Sequence, residues 1–203
     1  MPKELNKSPI VFDLFDTLLD ESSVYKQFFF HVGKKYHLEM NAEEFVKKLF
    51  NNQHKFIFGN SSKTYKEITK LSYIKLIKQA NPNDIKLLFD LYQKMEFFPE
   101  IIELLPKLEK RHDLFILTNI DNDLLERVNL SAKSPVRFKK FFTAENNKVY
   151  KPNPKAYQTV VDYIKLPKEK ITYVSSNDWD IKKSKAFGFY VRSIEDLKLI
   201  SVM

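Results

Sequence analysis

Carboxylates, one lysine and several small polar residues stand where they could do chemistry. Asp13 closes the apolar run Ile10-Val11-Phe12, and the hydroxyl of Thr17 follows four residues later. Thr118-Asn119 closes Leu114-Phe115-Ile116-Leu117, and Ser175-Ser176-Asn177-Asp178-Trp179-Asp180 closes Ile171-Thr172-Tyr173-Val174. Lys151 lies on the segment before the last cluster. Taken singly, each of these residues reads as a helix cap or a turn residue. Their recurrence at three strand ends asks for more, because parallel strands bring their C-terminal ends to one edge of a sheet. Carboxylates, an ammonium, hydroxyls and an amide would then line one crevice, which leaves open whether they attack, bind or merely cap.

The elements that must position them follow from the hydrophobic pattern. Residues 9–14 read as a buried central strand, too apolar to alternate and too short for a helix. Helical periodicity then runs on without a strand: Ser22-Ser23 caps a segment through Tyr36, Asn41 one through Phe58, Ser61-Ser62 one through Ala80, and Asn81-Pro82-Asn83-Asp84 opens one through Met95. A helix over 97–112 follows, closing on Glu109-Lys110-Arg111-His112, and then strand 114–117, a helix near 121–129 and a short strand at 141–143. Asn153-Pro154 opens a helix through Ile164. After strand 171–174, another helix ends at Gly188, and Phe189-Tyr190-Val191 makes the last strand. Strands alternating with single helices predict an α/β fold with a Rossmann-like parallel sheet covered on both faces. The core would comprise residues 1–19 and 97–203, with 20–96 inserted as a helical cap.

Composition sets the class. The chain has 203 residues, 43% hydrophobic and 30% charged, which describes a globular protein with a sizeable core. The absence of cysteine removes disulfides, thiolate zinc sites and a cysteine nucleophile, and suits a reducing cytoplasm. The net charge of +8 comes almost wholly from lysines scattered singly or in pairs, which read as solvated helix faces. Clustered arginine with aromatic platforms, the mark of a nucleic-acid surface, is missing. No apolar run reaches the ~18 residues that span a bilayer, and residues 1–8 hold no apolar signal core. The expectation is a cytoplasmic protein taking a small anionic substrate, with no nucleic-acid or membrane partner and with a homodimer left open. His31, His37, His54 and His112 show no metal-ligand spacing and read as surface or packing residues.

The motifs Asp13-Leu14-Phe15-Asp16-Thr17, Thr118-Asn119, Lys151-Pro152 and Ser175 through Asp180 resemble those of the haloacid dehalogenase superfamily, over the whole chain. Lys148-Val149-Tyr150-Lys151-Pro152 with Tyr157, and Val174-Ser175-Ser176-Asn177-Asp178-Trp179-Asp180, resemble its L-2-haloacid dehalogenase branch more narrowly. The resemblance implies a HAD-like fold and a metal-independent hydrolase with no cofactor. Asp13 would be the nucleophile that displaces halide from a short 2-haloacid and carries the ester intermediate. Asp180 would serve the water step, alone or with Asn177 and Ser175, while Lys151 would hold Asp13 ionised. Thr17, Thr118 and Asn119 would orient the nucleophile and the substrate carboxylate. Tyr157 would support the lysine, and Phe15 and Trp179 would form the apolar wall.

Two other readings stay open. Magnesium-dependent phosphatases of the superfamily carry acids where this chain has Phe15 and Ser176, so a phosphatase would need Asp16 or Asp178 as replacements for the magnesium ion and the proton transfer. Against that role, Asp16 reads as a turn residue and Asp178 as a helix N-cap. A catalytically impaired member that binds a small anion or a protein is the other reading. It is favoured by the lack of any arginine in residues 20–96, where dehalogenases of this branch use one early in the cap. Phe50 or Asn51 aligns near that place, and Lys47, Lys48 and Lys55 lie close as imperfect substitutes.

Overall fold

The structure, a computed structural model, describes residues 7–59 and 62–201. The five strands are β1 (Ser8–Phe12), β2 (His112–Thr118), β3 (Lys140–Thr143), β4 (Thr172–Val174) and β5 (Tyr190–Arg192). They form one parallel sheet in the order β3-β2-β1-β4-β5, with β1 at its centre. The helices between β1 and β2 are α1 (Glu21–Lys35), α2 (Ala42–Phe58), α3 (Tyr65–Leu76), α4 (Ile85–Leu91) and α5 (Pro99–Glu109). Those after β2 are α6 (Asn122–Val128), α7 (Leu130–Lys133), α8 (Ala144–Asn147), α9 (Pro154–Ile164), α10 (Asp178–Phe187) and α11 (Ile194–Ser201).

Because side chains alternate along a strand, the apolar runs of β1 and β2 feed two cores. Ile10, Phe12, Leu114 and Ile116 join one hydrophobic cluster that continues into α1, α2, α3 and α5. Val11, Phe115 and Leu117 point to the other, which Tyr157 and Val160 of α9 and Tyr173 of β4 complete. The first cluster runs unbroken from the sheet to Phe28, Phe45 and Leu49 of the helices inserted after β1.

The pairing register carries the polar clusters to one edge. Phe12 lies opposite Ile116 on one side and Val174 on the other, and Thr118 lies opposite Thr143. The Asp13 amide still donates to the Val174 carbonyl at 2.8 Å, so Asp13 and Ser175 leave the sheet side by side.

Several expected boundaries move. Asp20, not Ser22-Ser23, caps α1, accepting from the Ser23 amide. Ser61 lies outside the described residues, as do residues 1–6, which were read for targeting signals. Thr64 and Glu67 form the capping box that starts α3. That helix stops at Leu76 rather than Ala80, and the fourth segment is a short α4 between two 3-10 turns, Pro82–Asp84 and Tyr92–Lys94. His112 opens β2 opposite Ser8 instead of ending a helix. Gly188 closes α10 at φ 113°, a left-handed position that suits glycine. No helix among the described residues is long and apolar enough to cross a membrane.

Candidate active site

Lys151 is the hub of the site. Its Nζ, 1% exposed, donates to Asp13 Oδ1 at 2.7 Å, to Asp180 Oδ2 at 2.7 Å and to the Tyr173 hydroxyl at 2.9 Å. Three ammonium hydrogens therefore meet three acceptors. Burial opposes this cation, but the charges of Asp13 and Asp180 outweigh it and its pKa stands above the ordinary lysine value. The backbone of Lys151 is held as firmly: its amide donates to Asn119 Oδ1 at 2.7 Å, and Asn119 Nδ2 donates back to its carbonyl at 3.0 Å. Asn119 thus fixes the lysine, in addition to facing the cavity.

The other oxygen of Asp13 gathers the remaining donors. Asn177 Nδ2 reaches Oδ2 at 2.8 Å, Thr17 Oγ1 at 3.1 Å and Ser175 Oγ at 3.3 Å. Thr17 accepts in turn from the Ser176 amide, and Ser175 from the Asn177 amide, which ties the β1 and β4 loops together. Asn177 occupies the N-cap position of α10, one residue before Asp178, but its side chain is spent on Asp13 rather than on capping.

Asp180 and Tyr157 stand behind this layer. Asp180 is fully buried, accepting from Lys151, Tyr173 and, at 2.6 Å, Tyr157. The tyrosine expected to support Lys151 therefore acts on Asp180, and neither residue lines the cavity.

The cavity in front of Asp13 has a volume of about 80 Å³. From the core it is lined by Asp13, Phe15, Asp16, Thr118, Asn119, Lys151, Asn177 and Trp179. The inserted helices add Glu21, Phe50, Gln53, His54, Ile57 and Tyr65. Phe50 does face the pocket, whereas Asn51, Lys47, Lys48 and Lys55 are exposed and outside its lining, so none of these three lysines takes the place of the missing arginine.

Sequence reasoning missed Glu21 and His54. His54 was legible in principle, since Phe50, Gln53, His54 and Ile57 make one stripe at helical spacing. It stacks on Phe58 with ring centroids 5.0 Å apart and meets Trp179 edge-on at 5.6 Å; burial disfavours its cation. Glu21 carries no such mark, as an acid in the first turn of a helix is ordinary. It is buried, its Oε1 accepting from Tyr92 at 2.9 Å and Tyr65 at 3.1 Å. Burial first, and the charge of Asp16 second, push its pKa well above the usual carboxylate value.

The site does not fit magnesium. A hard cation would bridge oxygens, yet the Asp13 carboxylate and the Phe15 carbonyl converge on the Asn177 amide group, at 2.8 and 3.2 Å. Asp16, in a left-handed turn at φ 53°, spends both oxygens on the amide and hydroxyl of Ser22. No group of three or more metal-ligating side chains occurs among the described residues.

Comparison with known proteins bears on this arrangement. A family model described as haloacid dehalogenase-like hydrolase matches residues 10–194. The chain belongs to the haloacid dehalogenase-like hydrolases. Among its relatives, (S)-2-haloacid dehalogenase 2 of Pseudomonas sp. (strain CBS-3) is 27% identical over 193 residues, 90% of this chain and 81% of that protein. Haloacetate dehalogenase H-2 of Moraxella sp. (strain B) is 32% identical over 101 residues, 49% of this chain. That match spans 45% of the relative, so the chain covers under half the length of this and several other relatives. The fold agrees with that of the L-2-haloacid dehalogenase of Xanthobacter autotrophicus carrying covalently bound chloropropionic acid. The TM-score is 0.75 at 19% identity, over 91% of this chain and 76% of that one. A HAD-hydrolase of Bacillus subtilis solved with magnesium shares the fold as well, with a TM-score of 0.78 at 17% identity, over 99% of this chain and 100% of that one. Solved structures of this fold thus include one with covalently bound chloropropionic acid and one with bound magnesium.

Proposed function

We propose that the protein is a metal-independent hydrolase that breaks the carbon–halogen bond of a small 2-halo acyl compound, of the kind the relatives' names carry, through an ester on Asp13. The observation that carries this reading is the Lys151 ammonium, 2.7 Å from Asp13 and 2.7 Å from Asp180. One buried cation joins a carboxylate facing the cavity to a second carboxylate behind it. Residues 20–96 act as a cap over a core of 1–19 and 97–203.

Of the two Asp13 oxygens, Oδ2 takes three donors and Oδ1 one, so Oδ1 keeps a free lone pair for attack. It displaces halide, which leaves with the bonding electron pair, and an ester forms. Water then adds to the ester carbonyl, losing its proton to Asp180; the 2-hydroxy product departs with a proton and Asp13 is restored. Phe15 and Trp179 keep the reacting carbon in apolar surroundings.

The test is halide release in the presence of EDTA, together with turnover in oxygen-18 water. Release that survives EDTA, disappears in Asp13→Asn and leaves oxygen-18 on Asp13 is the expected result. No release and no labelled or alkylated Asp13 across chloro and bromo substrates would overturn it in favour of a binding protein, and EDTA-sensitive phosphate release in favour of a phosphatase.

A further inference from the structure

With the cavity taken as the active site, on which the assignment rests, we propose that His54 is the group that meets the substrate's carboxylate, becoming a cation as the anion arrives, so that binding takes up one proton. A 2-haloacid carries its carboxylate on the carbon that reacts. Wherever Asp13 attacks, that second charge therefore comes to rest in the same cavity of about 80 Å³. The Lys151 ammonium does not answer it: its three hydrogens go to Asp13, Asp180 and Tyr173, and two carboxylates already share its charge. An anion left unpaired in such a space is costly.

Among the described lining residues, His54 alone can still become a cation. Its half-buried ring is held by carbon contacts, stacked on Phe58 and against Trp179, and no hydrogen bond among the described residues engages its nitrogens. The Trp179 indole lies 5.6 Å from the His54 ring and 5.7 Å from Lys151 Nζ, so one side chain bridges His54 to the lysine that holds the nucleophile. The charged and titratable groups that share the cavity are Asp13 and Asp16 after β1, Glu21 of α1, Tyr65 of α3 and Lys151 before α9, while the start of α10 adds the neutral Asn177 and Trp179. Burial draws Glu21 and Asp16 toward their neutral forms, in which they can donate a hydrogen bond but supply no positive charge. Burial also holds the pKa of His54 below the ordinary 6.5, so the empty cavity keeps the ring neutral near about pH 7. An anion against the ring reverses that balance, because a nearby opposite charge favours the ionised form.

The test reads proton uptake without turnover. Isobutyrate, with a methyl group in place of the halogen, and its neutral counterpart isobutyramide are titrated into the intact protein by calorimetry in HEPES and in Tris near about pH 7, two buffers whose different heats of ionisation count the protons taken up. Isobutyrate should take up about one proton and isobutyramide none, and isobutyrate affinity should fall by up to about ten-fold per pH unit above the pKa of the free histidine. His54→Gln cannot titrate in this range and should abolish the uptake; His54→Phe preserves the stack on Phe58 and serves if the glutamine variant does not fold. In the wild type, nitrogen-15 spectra should show one of the four histidine rings becoming imidazolium as isobutyrate is added. Isobutyrate binding without proton uptake, uptake that persists in the His54 variants and so belongs to Asp16 or Glu21, or no isobutyrate binding overturns the assignment. Failure of 2-chloropropionate to release chloride, with the proton-coupled binding intact, instead overturns the proposed hydrolysis and leaves the role of His54 standing.

Discussion

Asn177 places its amide nitrogen 2.8 Å from Asp13 Oδ2, across the gap between the loops that leave β4 and β1. Hydrogen bonds to a charged acceptor are worth about 1.5–3 kcal/mol. Asn177→Ala is therefore expected to slow ester formation by roughly 10–100-fold in single-turnover halide release. An unchanged rate would remove Asn177 from the positioning of the nucleophile.

Lys151→Met should be felt in stability as well as in activity. It leaves Asp13 and Asp180 buried, 8% and fully inaccessible at their side chains, without the cation between them. Breaking a buried pair from one side costs about 3–5 kcal/mol. Urea denaturation should show a loss of that size at neutral pH.

Glu21 predicts a pH dependence of the opposite kind to a salt-bridged acid. Its folded pKa stands above the ordinary 4.5, so the folded chain keeps a proton that the unfolded chain releases. Stability from this group is whole below about 4.5 and is lost as pH rises toward the folded value. Glu21→Gln cannot ionise and should therefore unfold at higher urea concentration than the wild type at alkaline pH. The two should converge as the pH falls toward the ordinary glutamate value.

Tyr157→Phe deletes the 2.6 Å hydrogen bond to Asp180 but leaves the ring in its aromatic cluster with Tyr173 and Phe189. A loss of about 1–2 kcal/mol in stability is expected. The effect on the ester's hydrolysis should exceed that on its formation, since the proposed mechanism gives Asp180 the second step. Burst-phase halide release separates the two.

The sheet and the core half of the site were legible because apolar strand runs stop abruptly at polar residues. Asp13, Thr118 and Ser175 follow such runs, and parallel pairing then fixes their neighbourhood without help from side chains. Lys151 and Asn177 were placed near that edge by their loops, while their roles came from motif resemblance, and the geometry joins both to Asp13. The inserted helices were readable as helices but not as a wall. Glu21, Tyr65 and Tyr92 lie 71 residues apart at the extremes and meet only through tertiary packing, which no periodicity records. Helix starts were misjudged where two caps competed: Asp20 and Ser22-Ser23 are both good N-cap types, and the chain uses the aspartate. The last helix, α11, was missed because Ile194–Ser201 is a short segment after a strand end.

Asp121 stands at the N-cap of α6 but does not cap it. Its two oxygens instead accept from the Tyr65 and Lys66 amides, each at 2.9 Å, at the start of α3. One helix has lent its cap to another, across the boundary between sheet edge and inserted helices. Lifting α3 would strand two amides and a carboxylate at once, so traffic to Asp13 is costly on that side. The aromatic seam of His54, Phe58 and Trp179, joined by ring contacts with the Lys151 ammonium 5.7 Å from the indole, would be the less costly side to part. How fast product escapes would then depend on how readily three rings slide apart, a step with its own clock, independent of the chemistry behind it.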